Sequence, residues 1–260
     1  MSVILLERDI VHYEVLGRGR PLIFLHGWVG SWRYWIPVMQ AASISFRAYA
    51  LDFWGFGETA KKPIRYPLDQ QILLLDSFLE RMGIIKVALV GHGLGAIVAM
   101  QYALHHPEFV ERVLAVSYPL EEGMINTRLK NSTPTALAEW LVGRSALTEP
   151  VRMDAPKTDP QAIQFSLASL AGLKDTLLQL NTACVLVNGQ NDPLMEGPRL
   201  EQLSSLPEFT HAVTFEQSGH FPMLDESSKF NRLVNDFLAL PSGESPRQLQ
   251  IKEEWKRRVR

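Results

Sequence analysis

The sequence predicts an α/β domain, a mostly parallel sheet flanked by helices and interrupted once by a small helical cap. Three observations carry that expectation. Short apolar runs of strand length recur between helix-length segments. One such run, residues 87–90, passes through a glycine-tight turn into small and apolar residues suited to close helix packing. Strand signals then stop between about residues 121 and 176 and return at Ala183. The expected parts are a first half of the core over 1–120, a helical cap insertion over 121–178, a second half of the core over 179–240 and a C-terminal tail over 241–260.

Composition sets limits on what the chain does. With 260 residues, 46% of them hydrophobic and 21% charged, it buries a large core as one domain. Twenty-eight acidic residues nearly balance 26 basic ones, a net charge of −2, so no overall field draws in nucleic acid or an anionic membrane. A small molecule is the expected partner. Cys184 is the single cysteine and sits in an apolar run, the setting of an inert structural thiol rather than of a disulfide. The apolar residues 3–6 are too few for a secretory signal, and no run approaches the length of a membrane span, so a cytoplasmic location is expected.

In chain order, strands are expected over 3–7 and 10–16, then over 21–25 running into His26-Gly27-Trp28. Ser31 is placed to cap a helix through about Ala42. A strand over 47–52 leads into Asp52-x-x-Gly55-x-Gly57, where Asp52 is expected to bond nearby amides in a turn. An amphipathic helix over 68–82 precedes the central strand. After that strand's helix, residues 110–116 form another strand ending at Ser117. Within the insertion, Thr133-Pro134 and Asp159-Pro160 announce helices over 136–145 and 161–173. Strands over 183–189 and 212–216 follow, each ending in a polar loop, Asn188-Gly-Gln-Asn-Asp192 and Gln217-Ser-Gly-His220, before a closing helix over 227–240.

The central turn, Gly91-His92-Gly93-Leu94-Gly95, has the spacing of the G-x-S-x-G nucleophile elbow, in which a strained turn lifts a nucleophile above the sheet. Its middle position holds Gly93, which relieves the strain and supplies no attacking oxygen. Together with His26-Gly27, Asp192 and His220 in the same order, this pattern resembles the α/β-hydrolase superfamily, esterase-like and C–C-bond hydrolase members above all, over about residues 8–240. The resemblance implies that Asp192 is the triad acid, His220 the base, and the backbone N–H groups of Trp28 and Leu94 the oxyanion donors. It implies no cofactor and no metal. The implied ligand is a small hydrophobic molecule, and ordinary acyl-enzyme hydrolysis is expected to be lost with the vacant nucleophile position at Gly93.

Several readings stay open beside that one. The His220–Asp192 pair can serve as a general base without a covalent intermediate, or the protein can bind a ligand or partner without turnover. Ser31, Ser117 and Ser218 stand near strand ends and are weighed as substitute nucleophiles, although caps and turns use serine routinely. Gly91-x-Gly93-x-x-Ala96 also satisfies the dinucleotide fingerprint, but the next strand lacks the acidic residue that binds a ribose. His26, His92 and His220 fall near strand ends without the close-spaced partners that a metal needs. Trp28, Trp32, Tyr34, Trp35, Phe53, Trp54 and Phe56 cluster on the loops flanking the elbow, where they either line an apolar pocket or pack the core. Residues 252–260 carry five basic side chains and read as a frayed tail.

Overall fold

The computed structural model describes residues 2–142 and 146–249; the basic tail over 252–260 and position 145 of the expected cap helix lie outside them. The chain opens with β1 (Ser2–Leu6) and β2 (Asp9–Leu16), antiparallel across Glu7-Arg8. Both turn residues have positive φ (48° and 73°), the geometry whose twist matches that of a two-residue hairpin. β3 (Arg20–Leu25), α1 (Ile36–Ala42), β4 (Phe46–Leu51), α2 (Leu68–Met82), β5 (Val87–His92), α3 (Leu94–His105) and β6 (Val110–Val116) then alternate. The eight strands form one sheet in the order β1-β2-β4-β3-β5-β6-β7-β8, with β7 (Ala183–Gly189) and β8 (Thr210–Phe215) completing it. From β4 to β8 every neighbouring pair is parallel.

The sequence pattern explains the placement of the core. All six residues of β5 are buried, as are nine of α3, so this strand and helix sit where water reaches neither side. α2 ends on Gly83, whose φ of 66° and N–H bonds to Leu79 and Glu80 close the helix in a left-handed cap. The closing helix α11 (Ser227–Ala239), which follows the short α9 (Leu200–Ser204) and α10 (Pro222–Asp225), buries Phe230, Leu233, Val234, Phe237 and Leu238. That spacing is one stripe of a 3.6-residue helix, each large side chain contributing about 1.5–3 kcal/mol on burial. It packs on α1, while α2 and the helix Leu173–Gln179 pack on α3.

Among the described residues the elements between β6 and β7 are helices: α4 (Arg128–Asn131), α5 (Pro134–Leu141), α6 (Glu149–Asp154), α7 (Pro160–Ala168) and α8 (Leu173–Gln179), with short 3₁₀ turns among them and a single antiparallel bridge from Ile125 to Met195. Thr133 and Asp159 cap α5 and α7 through their side chains, as their positions before proline predict. α7 stops well before Leu173. Ser169 folds its hydroxyl back to Phe165 O and accepts Leu68 N–H at 2.8 Å, and Gly172 at φ 61° starts α8. Ser31 caps not an α-helix but a 3₁₀ turn, Trp32–Trp35, because the α-helix begins only where Pro37 tolerates the loss of an N–H. The last strand runs over Thr210–Phe215, two residues ahead of the expected start, in register with Cys184.

One buried charge ties the end of α11 to the sheet. Arg112 on β6 donates from Nη2 to Leu240 O and, at 3.2 Å, to Pro241 O, and its guanidinium lies 5.5 Å from the Phe237 ring. Leu240 O caps the helix end and finds no other donor among the described residues, whereas Pro241 O also accepts from Glu244 N at 3.3 Å. Replacing the side chain by an apolar one strands the Leu240 carbonyl. Arg112→Met is expected to lower the unfolding free energy by about 1–3 kcal/mol, measured by urea denaturation.

Candidate active site

The turn after β5 is a sharp strand-to-helix elbow. Gly93 has φ 51° and ψ −111°, a region that residues with a side chain seldom enter. Its N–H donates to Val116 O at 2.9 Å and its carbonyl accepts from Ile97, so the turn is pinned to β6 on one side and to α3 on the other. The flanking glycines answer to a different demand. A Cβ on Gly91 would run into Gly95 O, and one on Gly95 into Leu25 O and His26 O. A Cβ on Gly93 meets only Trp28 Cε3 at 3.3 Å, Cζ3 at 3.4 Å and Gly27 Cα at 3.6 Å. The middle position therefore has room for a small side chain if the indole yields by a few tenths of an ångström.

Asp192, after β7, and His220, after β8, meet at that end of the sheet. Asp192 Oδ2 accepts from His220 Nδ1 at 2.8 Å and from the Ser117 hydroxyl at 2.9 Å; Oδ1 accepts from Leu194 N at 2.8 Å and Met195 N at 3.1 Å. Both side chains are 1% exposed. Burial pushes the Asp192 carboxyl up, but His220 and the N–H donors outweigh it and hold the group below the usual carboxylate range. An ionised acceptor fixes the proton of neutral His220 on Nδ1. Nε2 is thereby left as the basic nitrogen, with no protein partner among the described residues. Two successive carboxylates hold the histidine loop: Glu226 accepts from Ser218 Oγ (2.6 Å) and Gln217 N (3.2 Å), and Asp225 from Gly219 N (2.9 Å).

The loop after β3 supplies the other wall. His26 Nδ1 donates to Gly27 O at 2.7 Å while its Nε2 accepts Phe53 N–H at 3.0 Å, which fixes both the tautomer and the orientation of the Gly27–Trp28 peptide. In a trans peptide the N–H points opposite to the carbonyl, so Trp28 N–H is turned away from His26. It finds no protein acceptor among the described residues, nor does Leu94 N–H at the first position of α3, where the helix dipole favours negative charge. The Trp28 indole is fully buried against Gly93, with Nε1–H donating to Ser166 Oγ on α7 at 2.9 Å.

The structure thus gathers Trp28, Gly93, Leu94, Asp192 and His220 at the C-terminal ends of parallel strands β3, β5, β7 and β8. The three serines weighed as substitute nucleophiles are otherwise engaged. Ser31 donates to Asp154, Ser117 to Asp192 and Ser218 to Glu226, and none bonds His220. Trp35, Phe53 and Phe56 are fully buried, the last two packed edge-on against His26 at 5.0 and 5.1 Å, so they belong to the core beneath the loops. Asp52 bonds the amides of Trp32 and Glu58, and also His12 Nδ1 at 3.1 Å. Among the described residues no group of three or more His, Cys, Asp or Glu side chains is placed to hold a metal ion, and no helix is long and apolar enough to cross a membrane. Sequence reasoning missed Ser117 as a partner of the acid, and Tyr34 and His92 as partners of each other at 3.0 Å. Only their nearness to strand ends hinted at them.

Buried histidines give the fold a measurable pH dependence. Burial holds His26 and His92 below the ordinary imidazole value, and for His92 the neighbouring His220 adds to the effect. A folded value below the unfolded one, about 6.5, means stability that is complete above that pH and lost as pH falls toward the folded value. His12 acts in the opposite sense, since Asp52 and Glu14 outweigh its burial and raise it. Comparing variants isolates one group: His92→Phe is expected to flatten the decline in unfolding free energy between about pH 6.5 and 5 by up to about 1.4 kcal/mol per pH unit, read from urea titrations.

Known proteins resemble this chain in sequence and fold. Residues 22–233 match the model of the Alpha/beta hydrolase family. The chain is 26% identical over 253 residues to a pimeloyl-[acyl-carrier protein] methyl ester esterase of Vibrio cholerae, covering 87% of this chain and 97% of that protein. It is 28% identical over 250 residues to a 2-hydroxy-6-oxo-2,4-heptadienoate hydrolase of Pseudomonas putida, covering 86% and 91%. A crystal structure of a hydrolase from Pseudomonas aeruginosa superposes with a TM-score of 0.81 at 18% identity, over 92% of this chain and 98% of that one. With the sheet, the glycine elbow and a family match running from Leu22 to Leu233, the chain belongs to the alpha/beta hydrolase family.

Proposed function

We propose that this protein takes a small hydrophobic ligand of the ester or C–C-bond type and acts on it through His220 as a general base, without an acyl-enzyme. One observation carries the reading: a buried Asp192–His220 pair at 2.8 Å, with Nε2 free of protein partners among the described residues, at an elbow whose nucleophile position is Gly93. A buried carboxylate–imidazole pair is costly to keep dry, and such pairs concentrate where a proton is moved. Asp192 orients the ring and stabilises the imidazolium formed when Nε2 takes a proton from water or from the ligand. Trp28 N–H and Leu94 N–H stabilise the negative charge that develops on the ligand oxygen. The substrate class is supported by the relatives, one named for a methyl ester and one for a 2-hydroxy-6-oxo-dienoate.

Removing a serine nucleophile costs on the order of 10⁶ in turnover and leaves roughly 10³–10⁴ over water. The protein is therefore expected to hydrolyse short p-nitrophenyl esters slowly, with no acylation burst, and to lose that turnover in His220→Ala. Gly93→Ser is expected to add a burst that also depends on His220, and to lower stability by about 1–3 kcal/mol because serine must adopt the positive φ of the elbow. Saturable ligand binding with no His220-dependent turnover in the unaltered chain would overturn the catalytic reading in favour of a binding protein.

A further inference from the structure

Two side chains that the acid, base and oxyanion roles leave unassigned, Tyr34 and His92, join the oxyanion loop to the histidine loop. Tyr34, 1% exposed, accepts Gly27 N–H on its hydroxyl at 2.7 Å and lies 3.0 Å from His92 Nδ1. A tyrosine hydroxyl has one proton to give, and Gly27 N–H cannot receive it. The proton goes to His92 Nδ1, so neutral His92 carries its own hydrogen on Nε2. Burial keeps that ring neutral. Nε2 is buried and closes no hydrogen bond, although the His220 main chain is near enough to favour the charged ring. The His92 ring centre stands 4.4 Å from that of His220, and Phe221 packs on Tyr34, His92 and His220 at 5.5, 5.1 and 5.0 Å.

Gly27 is thus held at both ends. Its carbonyl is bound by His26 and its N–H by Tyr34, and the next N–H is that of Trp28. A pair needed only to fill space would be apolar at this depth. The buried His92 Nε2–H without a partner costs about 1–3 kcal/mol, which leucine at 92 would avoid, and phenylalanine at 34 would leave the Gly27 N–H without its acceptor.

We propose that Tyr34 and His92 are positioning residues, a bridge that fixes the Gly27–Trp28 peptide and the His220 ring in one geometry, so that a change at either is felt at the other. The functional meaning rests on the reading of the site given above; the bridge itself is tested without turnover. In nitrogen-15 NMR of the intact chain, His92 is expected as the Nε2–H tautomer with a protected Gly27 amide. Tyr34→Phe keeps the ring and removes the hydroxyl. It is expected to speed Gly27 amide exchange by about tenfold, the worth of one hydrogen bond, and to shift the ring signals of His220 in a folded protein. His92→Asn, whose Oδ1 accepts in place of Nδ1, retains the Gly27 protection, whereas His92→Leu loses it. In the Gly93→Ser background, Tyr34→Phe is expected to lower kcat for ester hydrolysis by about tenfold with KM within about twofold. A folded Tyr34→Phe with unmoved Gly27 exchange and unmoved His220 signals overturns the bridge. Absence of esterase activity in Gly93→Ser itself would count against the functional reading and leave the NMR outcome to decide the bridge.

Discussion

A carboxylate buried to 1% exposure is the constraint around which this end of the sheet is built. Removing Asp192 from water carries a penalty of several kcal/mol unless its lone pairs are filled, and four donors from three stretches of chain fill them. Each donor restricts the backbone that carries it. Leu194 and Met195 fold the loop after β7 back on the acid. Ser117 reaches it from the end of β6 in a conformation with φ 50°, worth about 1–3 kcal/mol of strain, offset by the bond its hydroxyl makes. His220 arrives from the loop after β8, which Asn191 N–H also holds by bonding Ser218 O at 3.0 Å. The parallel order β6-β7-β8 brings these loops side by side, and the acid converts that proximity into fixed geometry.

The elbow shows that scaffold and reagent are separable. Gly91 and Gly95 are demanded by backbone packed where a Cβ would go, so no other residue fits without moving β3 or α3. Gly93 faces no such backbone wall; the nearest atoms are on the Trp28 ring. A φ and ψ that would strain any other residue are kept here by glycine, and the turn is held by the Val116 and Ile97 hydrogen bonds and by the close packing on either side. A nucleophile is not needed to form the site that would hold one.

What the sequence made legible follows from how local each signal is. β5, the elbow and α3 were readable because burial on all sides leaves an unbroken apolar run, and glycine spacing reports backbone contacts made within a few residues. Asp192 and His220 were readable as loops at the ends of late strands. Ser117, by contrast, meets Asp192 across 75 positions and Tyr34 meets His92 across 58, and no periodicity carries information over such distances. For Trp35, Phe53 and Phe56 the sequence left pocket and core both open, core being the commoner setting for any single one. Only the packing of Phe53 and Phe56 around His26, and the burial of all three, resolves them as core. The helical stretch between β6 and β7 was visible as a loss of strand character, yet its division, among the described residues, into five short α-helices depends on tertiary bonds such as Leu68 N–H to Ser169 Oγ.

Trp28 is where these separate constraints meet. Its main chain carries one candidate oxyanion donor, oriented by His26 through the preceding carbonyl, while its side chain bounds the space above Gly93 and is tied to Ser166 on α7. The α7 end of that tie is itself anchored: Ser166 donates to Ala162 O at 2.7 Å, and Asp154 on α6 binds Ser31, Arg33 at 3.0 Å and Lys157 at 2.9 Å, linking the helices between β6 and β7 to the loop that holds Trp28. Moving the indole to admit a side chain at 93 therefore strains bonds to α7 and the peptide beneath it together. The position of α7 and the orientation of the donor are properties of the same residue, and the vacancy at Gly93 is bounded by a wall that the rest of the fold holds in place.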